Sequence, residues 1–84
     1  MISKEGLAID IFDWVLDTEA SYHMTSYLYA LTALFDLAQP IYITLPDGKI
    51  VKVWQAGTVN LRHGLVLKNV IYSSEFECNL ISVM

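Results

Sequence analysis

A carboxylate and a hydroxyl stand side by side where an apolar run stops: Trp14-Val15-Leu16 leads straight into Asp17-Thr18-Glu19-Ala20-Ser21. Aspartate is disfavoured at the end of a buried strand unless its carboxylate is hydrogen-bonded or put to use. Two roles fit such a group: proton transfer as a general base or acid, and capping of the turn that follows. The remaining reactive side chains form no comparable constellation. His23, His63 and Cys78 lie far apart, with none of the paired spacings of zinc ligands, so no metal and no cofactor is expected. No serine or cysteine stands where His23 would activate it, so His23 reads as a structural histidine. His63 precedes Gly64 and reads as a solvated turn residue. Cys78 reads as an inert, half-buried thiol, and a single cysteine excludes an internal disulfide.

The elements that must position Asp17 are mostly strands. Leu7, Ile9 and Ile11 alternate with Ala8, Asp10 and Phe12, the period of a strand, and Trp14-Val15-Leu16 continues in that mode. Between residues 26 and 39 the spacing changes. Leu28, Leu31, Leu34, Phe35 and Ala38 fall three and four apart, which predicts one short helix or helical turn, capped by Ser21 or Thr25 and stopped by Pro40. Beyond Pro40 the alternation returns in Ile41, Ile43 and Leu45. Pro46-Asp47-Gly48 then supplies a turn: proline presets φ, aspartate bonds the backbone ahead, and glycine accepts the left-handed conformation. Ile50 to Trp54 forms the returning arm of a hairpin, and Gly57 marks a bulge or bend. His63-Gly64 turns into a strand through Val70-Ile71-Tyr72, and Asn79 to Val83 forms the last. Several short strands separated by turns predict a mainly β fold, a small closed or nearly closed β-barrel in a single domain over 1–84.

Composition narrows the function. Of the 84 residues 55% are hydrophobic and 17% charged, too apolar for a disordered tail and suggestive of a chain that pairs with a partner. Nine acidic residues face five basic ones, a net charge of −4, and the basic residues are scattered rather than gathered in a stripe. Direct nucleic-acid binding is therefore not expected. The longest unbroken apolar run, Tyr27 to Leu31, is far shorter than the roughly 20 residues a membrane-spanning helix needs. No apolar block follows Lys4, so no secretory signal is read at the amino end. Trp54 and the tyrosines Tyr27, Tyr29, Tyr42 and Tyr72 read as core and interface bulk rather than a base-stacking platform.

The stretch around Asp17 resembles the active-site loop of the retropepsin-like aspartic proteases, in which Asp-Thr/Ser-Gly-Ala follows an apolar strand. Trp14, Asp17, Thr18, Ala20, Ser21, His23, Met24 and Thr25 stand where the protease domain of copia-type retrotransposon Gag-Pol polyproteins has matching residues. Pro40-Ile41, Leu45-Pro46-Asp47-Gly48, Gly57-Thr58-Val59, Leu67 to Tyr72 and Asn79 to Val83 follow in that family's order, so the resemblance covers about residues 14–83.

The resemblance implies a homodimer in which each copy contributes Asp17 to a carboxylate dyad that cleaves a peptide or polyprotein substrate, ancestrally Gag-Pol, in the cytoplasm. Two carboxylates that close share a proton, one acting as general base on water and the other as general acid. By the same resemblance Thr18, Glu19 and Ala20 support the active loop, with Thr18 bonding across the dimer axis. Pro46, Asp47 and Gly48 form the candidate flap, and Leu80-Ile81-Ser82 braces the loop from behind, with Ser82 where glycine is commoner. Two departures argue for impaired activity. Glu19 occupies the glycine position of the motif, and the chain ends at Met84 where such domains continue into a further helical segment. The alternative is a catalytically inactive retrotransposon remnant acting as a dimerisation or protein-interaction module.

Overall fold

The computed structural model describes residues 13–83. Six strands make up almost all of its regular structure: β1 (Trp14–Asp17), β2 (Met24–Thr25), β3 (Leu31–Thr44), β4 (Ile50–Asn60), β5 (Val66–Tyr72) and β6 (Asn79–Ser82). They form one sheet in the order β1-β6-β2-β5-β4-β3. The fold is mainly β and barrel-like. The sheet is not closed, however, because among the described residues β1 and β3 stand at opposite edges. The strand expected over Leu7–Phe12 lies outside the described residues.

The hairpin of β3 and β4 dominates the molecule. Its turn works as the residue types require: the Asp47 carboxylate accepts the Lys49 N–H at 2.9 Å, and Gly48 sits at φ +89°. Leu45 closes the turn by donating to the Lys49 carbonyl at 2.7 Å and accepting from the Gly48 N–H at 2.9 Å. From there Thr44 pairs with Ile50 and Ile41 with Val53, and alternation sends Val51 and Val53 into the core.

The helical expectation over 26–39 reduces to a single 3-10 turn at Leu28–Ala30, after which the chain is strand. The cause is visible in the register. β3 slips against β4 twice, between Thr32 and Phe35, where Ala33 takes φ +52°, and between Asp36 and Ile41. Each bulge adds residues that break the period of two, so apolar side chains fall three and four apart without any helix. Pro40 lies inside the second slip, on an edge strand, where its missing N–H costs no ladder bond.

Gly57 stands opposite two bulges rather than in one: the extra residue lies on β3 near Ala33 and on β5 near Asn69, both at positive φ. Gly57 is buried, and a Cβ there would sit 2.9 Å from the Thr32 carbonyl oxygen and 3.4 Å from the Leu34 Cα. Both obstacles are backbone and cannot swing aside. Gly57→Ala is therefore expected to destabilise the domain by about 1–3 kcal/mol. Urea unfolding monitored by Trp fluorescence would read it, and an unchanged midpoint would refute the close approach.

Two apolar clusters fill the inner face. Trp14, Val59, Leu67, Val70 and Ile81 anchor one, and Met24, Val51, Val53, Ile71 and Phe76 the other. β2 joins them. Though two residues long, it pairs with β5 in parallel (Met24 to Ile71) and with β6 antiparallel (Met24 to Leu80). Thr25, fully buried, donates its hydroxyl proton to Asn79 Oδ1 at 2.7 Å and accepts the Tyr27 N–H at 3.0 Å. Asn79 in turn donates to the Asp13 carbonyl at 3.2 Å. A buried polar pair satisfied in this way fixes β2 against β6 rather than weakening the core.

Of the aromatic residues expected as core and interface bulk, Tyr27 packs half-buried against the first cluster and Tyr72 is half-buried. Tyr29, Tyr42 and Trp54 are exposed, and the Lys52 ammonium lies 4.7 Å from the Trp54 ring centroid on the outer face of the hairpin. Cys78 is exposed rather than half-buried.

Candidate functional site

β1 runs parallel to β6, with Asp17 opposite Ser82, and this pairing delivers Asp17 to the end of the sheet half-buried. Past it the chain cannot remain extended, because residues 18–23 must turn back to place Met24 between β5 and β6. Asp17 organises that turn. Its Oδ1 accepts the Glu19 N–H at 2.8 Å, a short-range aspartate turn. Its carbonyl accepts the Val83 N–H at 3.1 Å.

β6 clasps the rest of the loop. The Ser82 hydroxyl donates to the Ala20 carbonyl at 2.6 Å, and the Ser82 N–H donates to His23 Nδ1 at 3.0 Å. The His23 carbonyl accepts the Ile71 N–H at 2.9 Å, so the loop is tied to β5 as well. Serine at this position therefore supplies a bond that glycine lacks. Glu19 is exposed and does not take positive φ, so a side chain at the motif's glycine position brings no left-handed strain.

Burial holds the His23 imidazole below its ordinary pKa. The Nδ1 that accepts from Ser82 must be unprotonated, which acts in the same direction. A histidine whose folded pKa lies below the unfolded value of about 6.5 contributes stability that is full above that pH. The contribution is lost as pH falls from there through the folded pKa. Between about pH 7.5 and pH 5, above the main carboxylate range, the urea midpoint is expected to drop. In His23→Gln, which keeps an acceptor but does not titrate, the drop should be smaller. Equal drops in both proteins would show that His23 is not the group responsible.

The loop faces a cavity of about 640 Å³ whose other walls are the end of β3, the hairpin turn and the segment around Phe76. Among the residues singled out from sequence, Asp17, Glu19, Ala20, Pro46 and Asp47 all line it. Thr18 and Gly48 do not; both are exposed beside it. The cavity floor is apolar, formed by Met24, Ile43, Leu45, Phe76 and Leu80. Phe76 was not singled out from sequence, and its isolated position in Ser-Ser-Glu-Phe-Glu-Cys carries no periodic signal. The arrangement can hold an extended apolar ligand with a carboxylate at one wall and a hairpin tip at the other.

Residues 14–84, nearly the whole chain, match the family described as Pol polyprotein, beta-barrel domain. No curated protein and no solved structure matches the chain. With a mainly β, barrel-like sheet spanning the matched residues, the chain belongs to the Pol polyprotein beta-barrel domain family.

Proposed function

We propose that this domain is a retropepsin-like aspartic endopeptidase of a copia-type retrotransposon Gag-Pol polyprotein, active as a homodimer. One observation carries the reading. The strand-end carboxylate of Asp17 and the hairpin tip at Pro46 and Asp47 line the same apolar-floored cavity, as a catalytic loop and a closing flap must. Asp17 is one carboxylate, and hydrolysis through a dyad needs two, so the second comes from another copy of the chain. Val15 and Leu16, 52% and 62% exposed on the strand that ends in Asp17, supply apolar surface for that contact. The Glu19 N–H engages Oδ1 of each Asp17, which leaves the other oxygen for water or for its twin. One shared proton then divides the roles, the ionised carboxylate drawing a proton from water and the protonated one donating to the peptide carbonyl.

The exposed Glu19 carboxylate favours a second reading, an inactive interaction module, because it brings a further acid to the cavity wall. Peptide cleavage at acid pH by the natural chain and by Glu19→Gly separates the two. Since Glu19 adds no left-handed strain, the natural chain is expected to cleave within about tenfold of Glu19→Gly, a difference of about 1.4 kcal/mol in barrier. Sedimentation is expected to give twice the 9.5 kDa chain mass. Cleavage by Glu19→Gly alone would establish the disabled module, and a monomer that cleaves nothing would end the enzyme reading.

A further inference from the structure

The charge around the cavity is one-sided. Asp17, Glu19, Asp47 and Glu77 line it on three different chain segments, and no lysine or arginine does so among the described residues. Lys49 adjoins the hairpin turn but does not line the cavity, and it is paired with Glu75 at 2.6 Å. Lys52 lies over the rings of Tyr42 and Trp54. The acids are also dispersed. Among the described residues no three acidic, histidine or cysteine side chains converge closely enough to hold a metal ion. A rim of this kind, above an apolar floor, complements a ligand whose positive charges are spread apart rather than concentrated at one point. Its sign repels phosphate backbones and acidic peptides alike.

We infer that the cavity selects an extended peptide with an apolar centre and lysine or arginine on either side of it. The inference rests on the reading of this cavity as a peptide site and adds the substrate class. The apolar centre covers Met24, Ile43, Leu45, Phe76 and Leu80, and the basic flanks meet Glu77 at one wall and Asp47 and Glu19 at the others. A volume of about 640 Å³ suits several side chains of such a segment. Charge complementarity at a rim acts mostly on encounter and discrimination between partners, and salt weakens it.

The test measures binding rather than cleavage, so that its failure and the failure of the protease reading are distinguishable. The full chain carrying Asp17→Asn in every arm is titrated with peptide at about pH 7 and followed by fluorescence anisotropy. Three labelled decapeptides share one apolar centre and carry lysine, serine or glutamate flanks. The lysine-flanked peptide is expected to bind at least about tenfold tighter than the glutamate-flanked one at low salt, and most of that gap should close by about 0.5 M salt. Glu77→Lys, at an exposed position, should narrow the gap or reverse it. Equal affinities, a preference for glutamate flanks or no binding to any of the three would overturn the inference. Preferential binding of lysine flanks, together with no cleavage of those peptides by the natural chain, would uphold it while removing the enzyme.

Discussion

If the domain works as the proposed homodimeric endopeptidase, Asp17→Asn is expected to lower peptide cleavage by about 10²–10⁴-fold, because it would remove the proton-transferring group from both copies at once. The substitution isolates chemistry from structure unusually well at this site. The structural duty of the carboxylate is to accept the Glu19 N–H through Oδ1, and an asparagine carbonyl accepts that bond equally well. The Asp17 main chain, which takes the Val83 N–H, is untouched. Thermal midpoint and sedimentation should therefore match the natural chain. Cleavage of fluorogenic peptides across acid pH reads the rate. If Asp17→Asn retains full activity, another group does the work. If it loses activity together with its fold, the loss says nothing of protonation and Asp17 is a structural residue first.

Ile71→Ala is expected to cost about 2–5 kcal/mol, the range for truncating a fully buried aliphatic side chain. A domain of this size has about 5–15 kcal/mol in total, so the variant approaches the limit of folding. At about 4–8 °C per kcal/mol, the midpoint should fall by about 8 °C or more. Ile71 is 2% exposed and pairs on two sides, with Met24 of β2 and Ala56 of β4. Its N–H also holds the His23 carbonyl at the end of the candidate loop. The cavity left by alanine would open beneath that loop, so cleavage and peptide binding should weaken at temperatures where the fold is still intact. Scanning calorimetry, with binding measured about 10 °C below the variant's midpoint, separates the two effects. A shift of a degree or two would mean that the surrounding side chains collapse into the space and that the second cluster is loosely packed.

These residues also show what sequence could and could not reveal. Trp14 to Asp17, the turn at Pro46-Asp47-Gly48 and the last strand are legible because each depends on local chemistry, alternation or a preset φ; Gly57 marks an irregularity, but the extra residues lie on the strands facing it. The first part of β3, up to Gln39, carries a helical spacing because its two bulges shift the phase of the apolar pattern, whereas the part beyond Pro40 alternates as a strand should. β2 carries no local signal at all. Two residues become a strand only because Ile71 and Leu80, both more than 45 positions away, close on either side of Met24. The Thr25–Asn79 bond spans 54 positions and was invisible for the same reason. Sheet closure, likewise, depends on whether the outermost strands meet. Within the candidate site, the ordered motif marks the two walls of the cavity and Leu80 on its floor, whereas Phe76 belongs to no motif.

The two margins of the sheet have unequal capacities for growth. Along β3 the backbone is broken twice, carries Ala33 in a left-handed conformation and includes a proline, so no neighbour finds an uninterrupted row of donors and acceptors there. The β1 margin is straight and apolar by comparison. Association by strand addition among the described residues must use that margin, and each molecule has one. Strand addition through that margin would leave no second such edge among the described residues, so it would end at a pair rather than run on as a fibre.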